Sequence, residues 1–155
     1  MKNLKLGFSA FGLLVAALQG LPNILWALHP PVPDALEGNA SSVPFIEYGE
    51  HILGVAIVIL LLFLVNGRGK RKSIPPGVPA ILCFAAIALY WACWALYYAG
   101  IQPNPVIYAM VLLPSAAFFF AGVAEKVYPI SAVSAVFLVF HAMVALENFP
   151  LRGAA

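Results

Sequence analysis

The chain has 155 residues, of which 63% are hydrophobic and 9% charged, and a net charge of +2. Soluble domains carry about 25% charged residues, and a domain of this size has too little interior to hide so much apolar surface. A soluble globular domain is therefore excluded, and the small positive excess excludes a basic nucleic-acid surface.

Residues 5 to 28 form a first apolar segment, ended by His29-Pro30-Pro31-Val32-Pro33, where successive prolines cannot continue a helix. The basic start Met1-Lys2-Asn3-Leu4-Lys5 and the small residues Val15-Ala16-Ala17 fit a cleavable signal peptide. Apolar character nevertheless runs on through Leu28, so a retained spanning helix is the expectation. Ser9, Gly12, Ala16, Gln19, Asn23 and Trp26 trace a small and polar stripe at helical spacing, a face suited to protein rather than lipid.

The second span, 45 to 66, opens with Glu47, Glu50 and His51 and then runs from Ile52 to Val65 without a polar side chain. Ionisable groups in a span are costly and point to function or to a satisfied partner. These three stand at i, i+3 and i+4, so one helix face is expected to carry them, continued at i+7 by Gly54. Glu47 also has a plain structural reading, since a carboxylate in a first turn complements the free amides there. Asn39-Ala40-Ser41 upstream matches a glycosylation sequon, a three-residue pattern frequent by chance. The span stops at Asn66-Gly67-Arg68-Gly69-Lys70-Arg71-Lys72, followed by Pro75-Pro76-Gly77.

From Ser73 to Ala124 the chain contains no Asp, Glu, Lys, Arg or His, enough for two crossings of roughly 20 residues each. The third span is about 78 to 99 and the fourth about 105 to 123, divided by Gln102-Pro103-Asn104-Pro105. In the third, Tyr90, Trp94 and Tyr97 share a face beside Trp91 and Tyr98. An interfacial aromatic belt accounts for Tyr97 and Tyr98, and the alternative for Trp94 is an aromatic wall for an organic cation. The fourth span carries a polar line through Asn104, Tyr108, Ser115 and Gly122. Pro114, like Pro22 in the first span, is expected to bend its helix and free a carbonyl. After the turn Glu125-Lys126-Val127-Tyr128-Pro129, the fifth span covers about 130 to 147 and places Ser134, His141 and Asn148 at intervals of seven. Glu147 falls off that line and reads as an interfacial residue.

The expected fold class is thus all-α, a single membrane domain forming a polytopic bundle of five transmembrane helices. Continuous apolar runs favour helices over the alternating strands of a barrel. With the amino terminus cytoplasmic, every basic residue except Arg152 falls inside, as the positive-inside rule requires, and the carboxyl terminus falls outside. A cytoplasmic membrane of bacterial type is the expected location. The basic loop 68–72 then lies beside lipid headgroups.

That topology collects the three histidines and all the acidic residues but Glu125 in the outer half of the membrane or in outer loops. The expected ligand-binding set is Asn23, Trp26, Glu47, Glu50, His51, Trp94, Asn104, Tyr108 and His141, around a polar chamber bounded by helices 1, 2 and 5. Three classes of function fit. One is an outward-facing site for a small ligand, cation or proton-coupled substrate. Another is a membrane-embedded enzyme on a lipid or isoprenoid, with Glu50, His51 and His141 in acid–base roles. The last is an accessory subunit whose small-residue stripes pack on a partner. The bilayer is the expected partner, with a homo-oligomer or a second membrane protein beside it. No motif assigns a cofactor or metal: HExxH is absent, GRGK at 67–70 is too short for a phosphate loop, and Cys83 and Cys93 lack CxxC spacing. Those cysteines stand about 15 Å apart along one helix, too far to bridge within it.

Overall fold

The computed structural model describes residues 3–67 and 74–150. Five helices dominate it: α1 (Ala10–Leu28), α2 (Pro44–Phe63), α3 (Val78–Tyr98), α4 (Asn104–Glu125) and α5 (Tyr128–Asn148). They are 19 to 22 residues long, about 30 Å each, and apolar enough to cross a membrane. The protein is an all-α, multi-pass integral membrane protein whose outward helix faces contact lipid. The basic loop residues Arg68, Lys70, Arg71 and Lys72, with Lys2 and Arg152, lie outside the described residues, and with them most of the charge pattern behind the expected orientation.

The helix starts follow from local chemistry. Proline stands in the first turn of α2, α3, α4 and α5, where its missing N–H costs nothing and its fixed φ suits the helix. The start of α1 is capped instead by Ser9, whose Oγ accepts the Gly12 N–H at 2.9 Å. This cap sets α1 five residues later than the apolar run suggested. The residues before it form β1 (Leu4–Leu6), which pairs antiparallel with β2 (Leu64–Asn66), matching Leu4 to Asn66, Lys5 to Val65 and Leu6 to Leu64. For the same reason α2 stops at Phe63, before the end of its apolar run: the last residues of that run supply the second strand. The ladder continues with Ser9 N–H donating to the Leu62 carbonyl at 2.8 Å.

Packing centres on α4, which touches all four other helices. The helices α3, α4 and α5 follow one another as antiparallel neighbours, α2 lies against α5, and α1 leans on α2, α3 and α4. Small residues set the closest approaches. A Cβ on Gly12 would lie 1.9 Å from the Leu61 carbonyl oxygen, and one on Gly122 would lie 2.5 Å from Ser131 Oγ. At one end the core is aliphatic and phenylalanine-rich, with Phe11, Val15, Ile57, Leu61 and Phe118 buried together. Towards the other it becomes aromatic, with Tyr90, Trp94 and Tyr97 packed on Ile107 and Met110.

Proline inside α1 has a traceable effect. Pro22 cannot donate to the Leu18 carbonyl, and Trp91 Nε1 of α3 fills that acceptor at 2.8 Å. The carbonyl expected to be freed by Pro22 thus becomes a bond between α1 and α3.

These approaches predict opposite outcomes for two glycines of one helix. Gly12→Ala is expected to lower stability in detergent by about 2 kcal/mol, because backbone has to move. Gly20→Ala meets nothing within 4 Å and should be neutral or stabilising by up to about 1 kcal/mol. Thermal unfolding of the two variants side by side checks both.

Candidate functional site

The connection between α1 and α2, residues 29–43, marks the end of the bundle expected to face outward, and Glu50 and His141 lie near it. Glu50 is six residues into α2 and His141 seven residues before the last residue of α5, so each sits about 10 Å below that end. In the seam between the two helices, His141 Nδ1 is 2.6 Å from Glu50 Oε1, and the two side chains are 22% and 17% exposed. With the carboxylate ionised, Nδ1–H donates to it. A contact this close is at the short edge of charge-assisted N–H···O bonds, which run about 2.7–2.9 Å.

Neighbouring residues hold that geometry. Gly49 lets α5 approach, since a Cβ there would lie 2.4 Å from the Phe140 ring. Phe45 then packs on Phe140 with ring centroids 5.6 Å apart. One turn deeper, Phe137 nestles against Gly54 and stacks on the His141 imidazole at 5.0 Å and 18°. The imidazole is thus fixed by a ring on one side and a carboxylate at its nitrogen.

His51 does not join this pair. Adjacent helix residues are about 100° apart, and His51 turns to the outer surface of α2, its side chain 69% exposed. Its Nδ1 is 2.7 Å from the Glu47 carbonyl oxygen and 3.6 Å from Glu47 Oε1. Glu47 itself reaches back to the connection and accepts the Ser41 N–H at 2.7 Å. The face expected to hold three ionisable groups therefore divides, with Glu50 towards α5, His51 outward and Glu47 at the helix mouth.

A short strap crosses the mouth of the α2–α5 seam. Ser41 Oγ donates to Glu147 Oε2 at 2.7 Å, Ser42 N–H to Glu147 Oε1 at 2.8 Å, and Asn148 Nδ2 to the Ala40 carbonyl at 3.0 Å. Glu147 is exposed, as an interfacial residue should be, yet it ties the end of α5 to the residues that lead into α2.

The remaining members of the expected set go elsewhere. Asn23 Nδ2 donates to Tyr90 Oη and to the Gln19 carbonyl, both at 2.9 Å, so this part of the α1 stripe meets α3 instead of facing Glu50. Trp26 Nε1 donates to both oxygens of Asp34, at 3.0 and 3.2 Å. Asp34 also receives the Tyr97 hydroxyl and the Leu36 N–H, the latter at 3.1 Å. This carboxylate, in a loop with no motif around it, organises the connection. Gln102 completes the fastening, accepting the Ala35 N–H at 3.1 Å and donating to the Pro33 carbonyl at 2.8 Å. Gly100, at φ +80, closes α3 with Ile101 N–H bonded to the Leu96 carbonyl at 2.9 Å, and so aims Gln102 at the loop.

Trp94 is buried edge-on between Tyr90 and Tyr97, with centroids 6.2 and 5.4 Å away, inside a packed aromatic cluster. Asn104 and Tyr108 bind the segment after α5: Asn104 Nδ2 reaches the Pro150 carbonyl at 3.4 Å, and the Tyr108 hydroxyl donates to the Phe149 carbonyl. The nine residues therefore form four groups, and only Glu50 and His141 make an ionisable pair between spanning helices. Among the described residues, no three His, Cys, Asp or Glu side chains converge as metal ligands.

Two substitutions separate the roles of the carboxylates that fasten the connection, Asp34 within it and Glu147 in the last turn of α5. Asp34→Ala leaves the Tyr97 hydroxyl proton and Trp26 Nε1 without an acceptor, while the Leu36 N–H keeps its 2.8 Å bond to Tyr97 Oη, and is expected to cost about 3 kcal/mol in thermal unfolding. Glu147→Ala should leave global stability nearly unchanged while speeding hydrogen exchange at the Ser42 amide roughly tenfold, the scale of one bond to a charged group.

Comparison of the chain with protein-family models, curated proteins and solved structures gives no match, so the functional reading rests on the geometry of the α2–α5 seam.

Proposed function

We propose that this membrane protein holds an outward-facing polar site for a proton or small cation, centred on Glu50 and His141. The observation that carries the proposal is the 2.6 Å contact between an imidazole and a carboxylate on two spanning helices, about 10 Å from one end of the bundle. Neither side chain is sealed: both keep about a fifth of their surface accessible. A cation or proton arriving from the connection competes with the imidazole for Glu50, and a proton moving between the partners changes the charge of the seam. The strap through Ser41 and Ser42 lies across the route in, and Glu47 stands at the mouth with its carboxylate directed to the same strap.

A specific observation favours a second element, a protein partner on α2. The exposed imidazole of His51 lies about 10 Å into a helix whose outer face is otherwise Phe45, Tyr48, Ile52, Val55 and Ile59. Exposing it to lipid is costly, and contact with a second copy or another membrane helix relieves that cost.

Purified protein in vesicles loaded with a pH-sensitive dye tests the main reading, with a pH gradient alone and with added tetramethylammonium. The wild type should dissipate the gradient faster than protein-free vesicles in at least one arm. Glu50→Gln and His141→Gln should bring the rate down to the protein-free level, and His51→Gln should keep it. Equal rates for the wild type and Glu50→Gln would refute the assignment.

A further inference from the structure

Gln19 stands at the midpoint of α1, 2% exposed, and neither its Oε1 nor its Nε2 has a hydrogen-bond partner in the protein. In the interior of a membrane bundle such an amide is costly unless something pairs with it. A second polar atom in the same region is nearly as poorly served: Trp94, 4% exposed on α3, has an Nε1–H whose neighbour is the Tyr90 hydroxyl, to which it makes no well-aligned bond and which already accepts from Asn23. The two belong to one seam. Asn23 Nδ2 bridges the Gln19 carbonyl to Tyr90 Oη, the Tyr90 ring packs edge-on against Trp94, and Trp91 Nε1 donates to the Leu18 carbonyl.

The chemistry of these atoms selects the guest. Gln19 Oε1 needs a donor, whereas Gln19 Nε2 and Trp94 Nε1 need acceptors. A carboxylate only accepts and would leave Oε1 unpaired, and an ammonium only donates and would leave both nitrogens unpaired. A hydroxyl does both through one oxygen. We infer that the α1–α3 seam binds a neutral hydroxyl group through Gln19 and Trp94. Water supplies such a group, and so does the head of a long-chain alcohol arriving from the bilayer. This site is separate from the Glu50–His141 pair, and its chemistry is neutral where that one is ionic.

Solid-state NMR on the full chain in perdeuterated bilayers, with glutamine side chains labelled with nitrogen-15, tests the inference directly. The label reports Gln19 and Gln102 alone. Gln19→Leu assigns the signals, and Gln102→Glu does so if the first variant fails to fold. Magnetisation transfer to Gln19 Nε2 from water protons, in a sample without alcohol, identifies water as the guest. Transfer from the C1 methylene of added 1-octanol, in heavy water, identifies an amphiphile. Either result supports the site, and Trp94→Phe should then weaken the transfer. Transfer no greater in either sample than to the backbone amide of the fully buried Val15, recorded on a second sample labelled with nitrogen-15 at valine, would overturn it, as would an unchanged signal in Trp94→Phe.

Discussion

Inside a bilayer a polar group has no bulk water to fall back on, so such groups on these helices must be answered from within the protein or by a bound guest. That constraint accounts for most of the side-chain bonds in the structure. The carbonyl freed by Pro22 is taken by Trp91, Asn23 finds Tyr90, and the hydroxyls of Ser115 and Ser134 return to the carbonyls four residues earlier in their own helices. At one end of the bundle Ser9 caps α1 and also donates to Glu125 at 2.6 Å. At the other, Asp34 gathers an indole, a phenol and an amide into one knot. The Glu50–His141 pair obeys the same rule, but with two groups that change charge with one proton.

That difference is why the pair stands out. Neutral bonds such as Asn23–Tyr90 hold helices together and have one state. An imidazole facing a carboxylate has several, and each distributes charge differently across the seam. The surrounding packing gives the pair a fixed frame: Gly49 admits Phe140, and Phe137, beside Gly54, stacks on the imidazole. A glycine at position 49 is thus a requirement of α5 packing, one residue away from the carboxylate it positions.

Much of this was legible in the sequence. Charge-free runs and proline-rich turns located five helices with boundaries mostly within a few residues, because hydrocarbon thickness leaves little freedom in length. The exceptions have a local cause: β1 and β2 pair where two apolar runs end, and periodicity carries no information on pairing between distant segments. Depth was legible too, which is how Glu50 and His141 were expected at one level. Azimuth was not. Glu47, Glu50 and His51 look like one face by spacing, yet a face spans more than 100°, enough for Glu50 to meet α5 while His51 points outward. Nor does spacing within one helix say which helix faces it: the stripe of α1 was read against helices 2 and 5, whereas Gly12 packs on α2, Ser9 reaches α4 and Asn23 meets α3. Asp34 and the Ser41–Ser42 strap escaped notice because loop residues without a motif look alike until the chain brings their partners to them.

The central claim is that Glu50 and His141 are joined across the α2–α5 seam in the membrane itself. Carbon-13 at Glu50 Cδ and nitrogen-15 at His141 Nδ1, measured by dipolar recoupling in lipid bilayers, tests it most directly. The account predicts strong dephasing, as a 2.6 Å nitrogen–oxygen contact requires, with none at the nitrogens of His51. Absence of dephasing at His141 would contradict it.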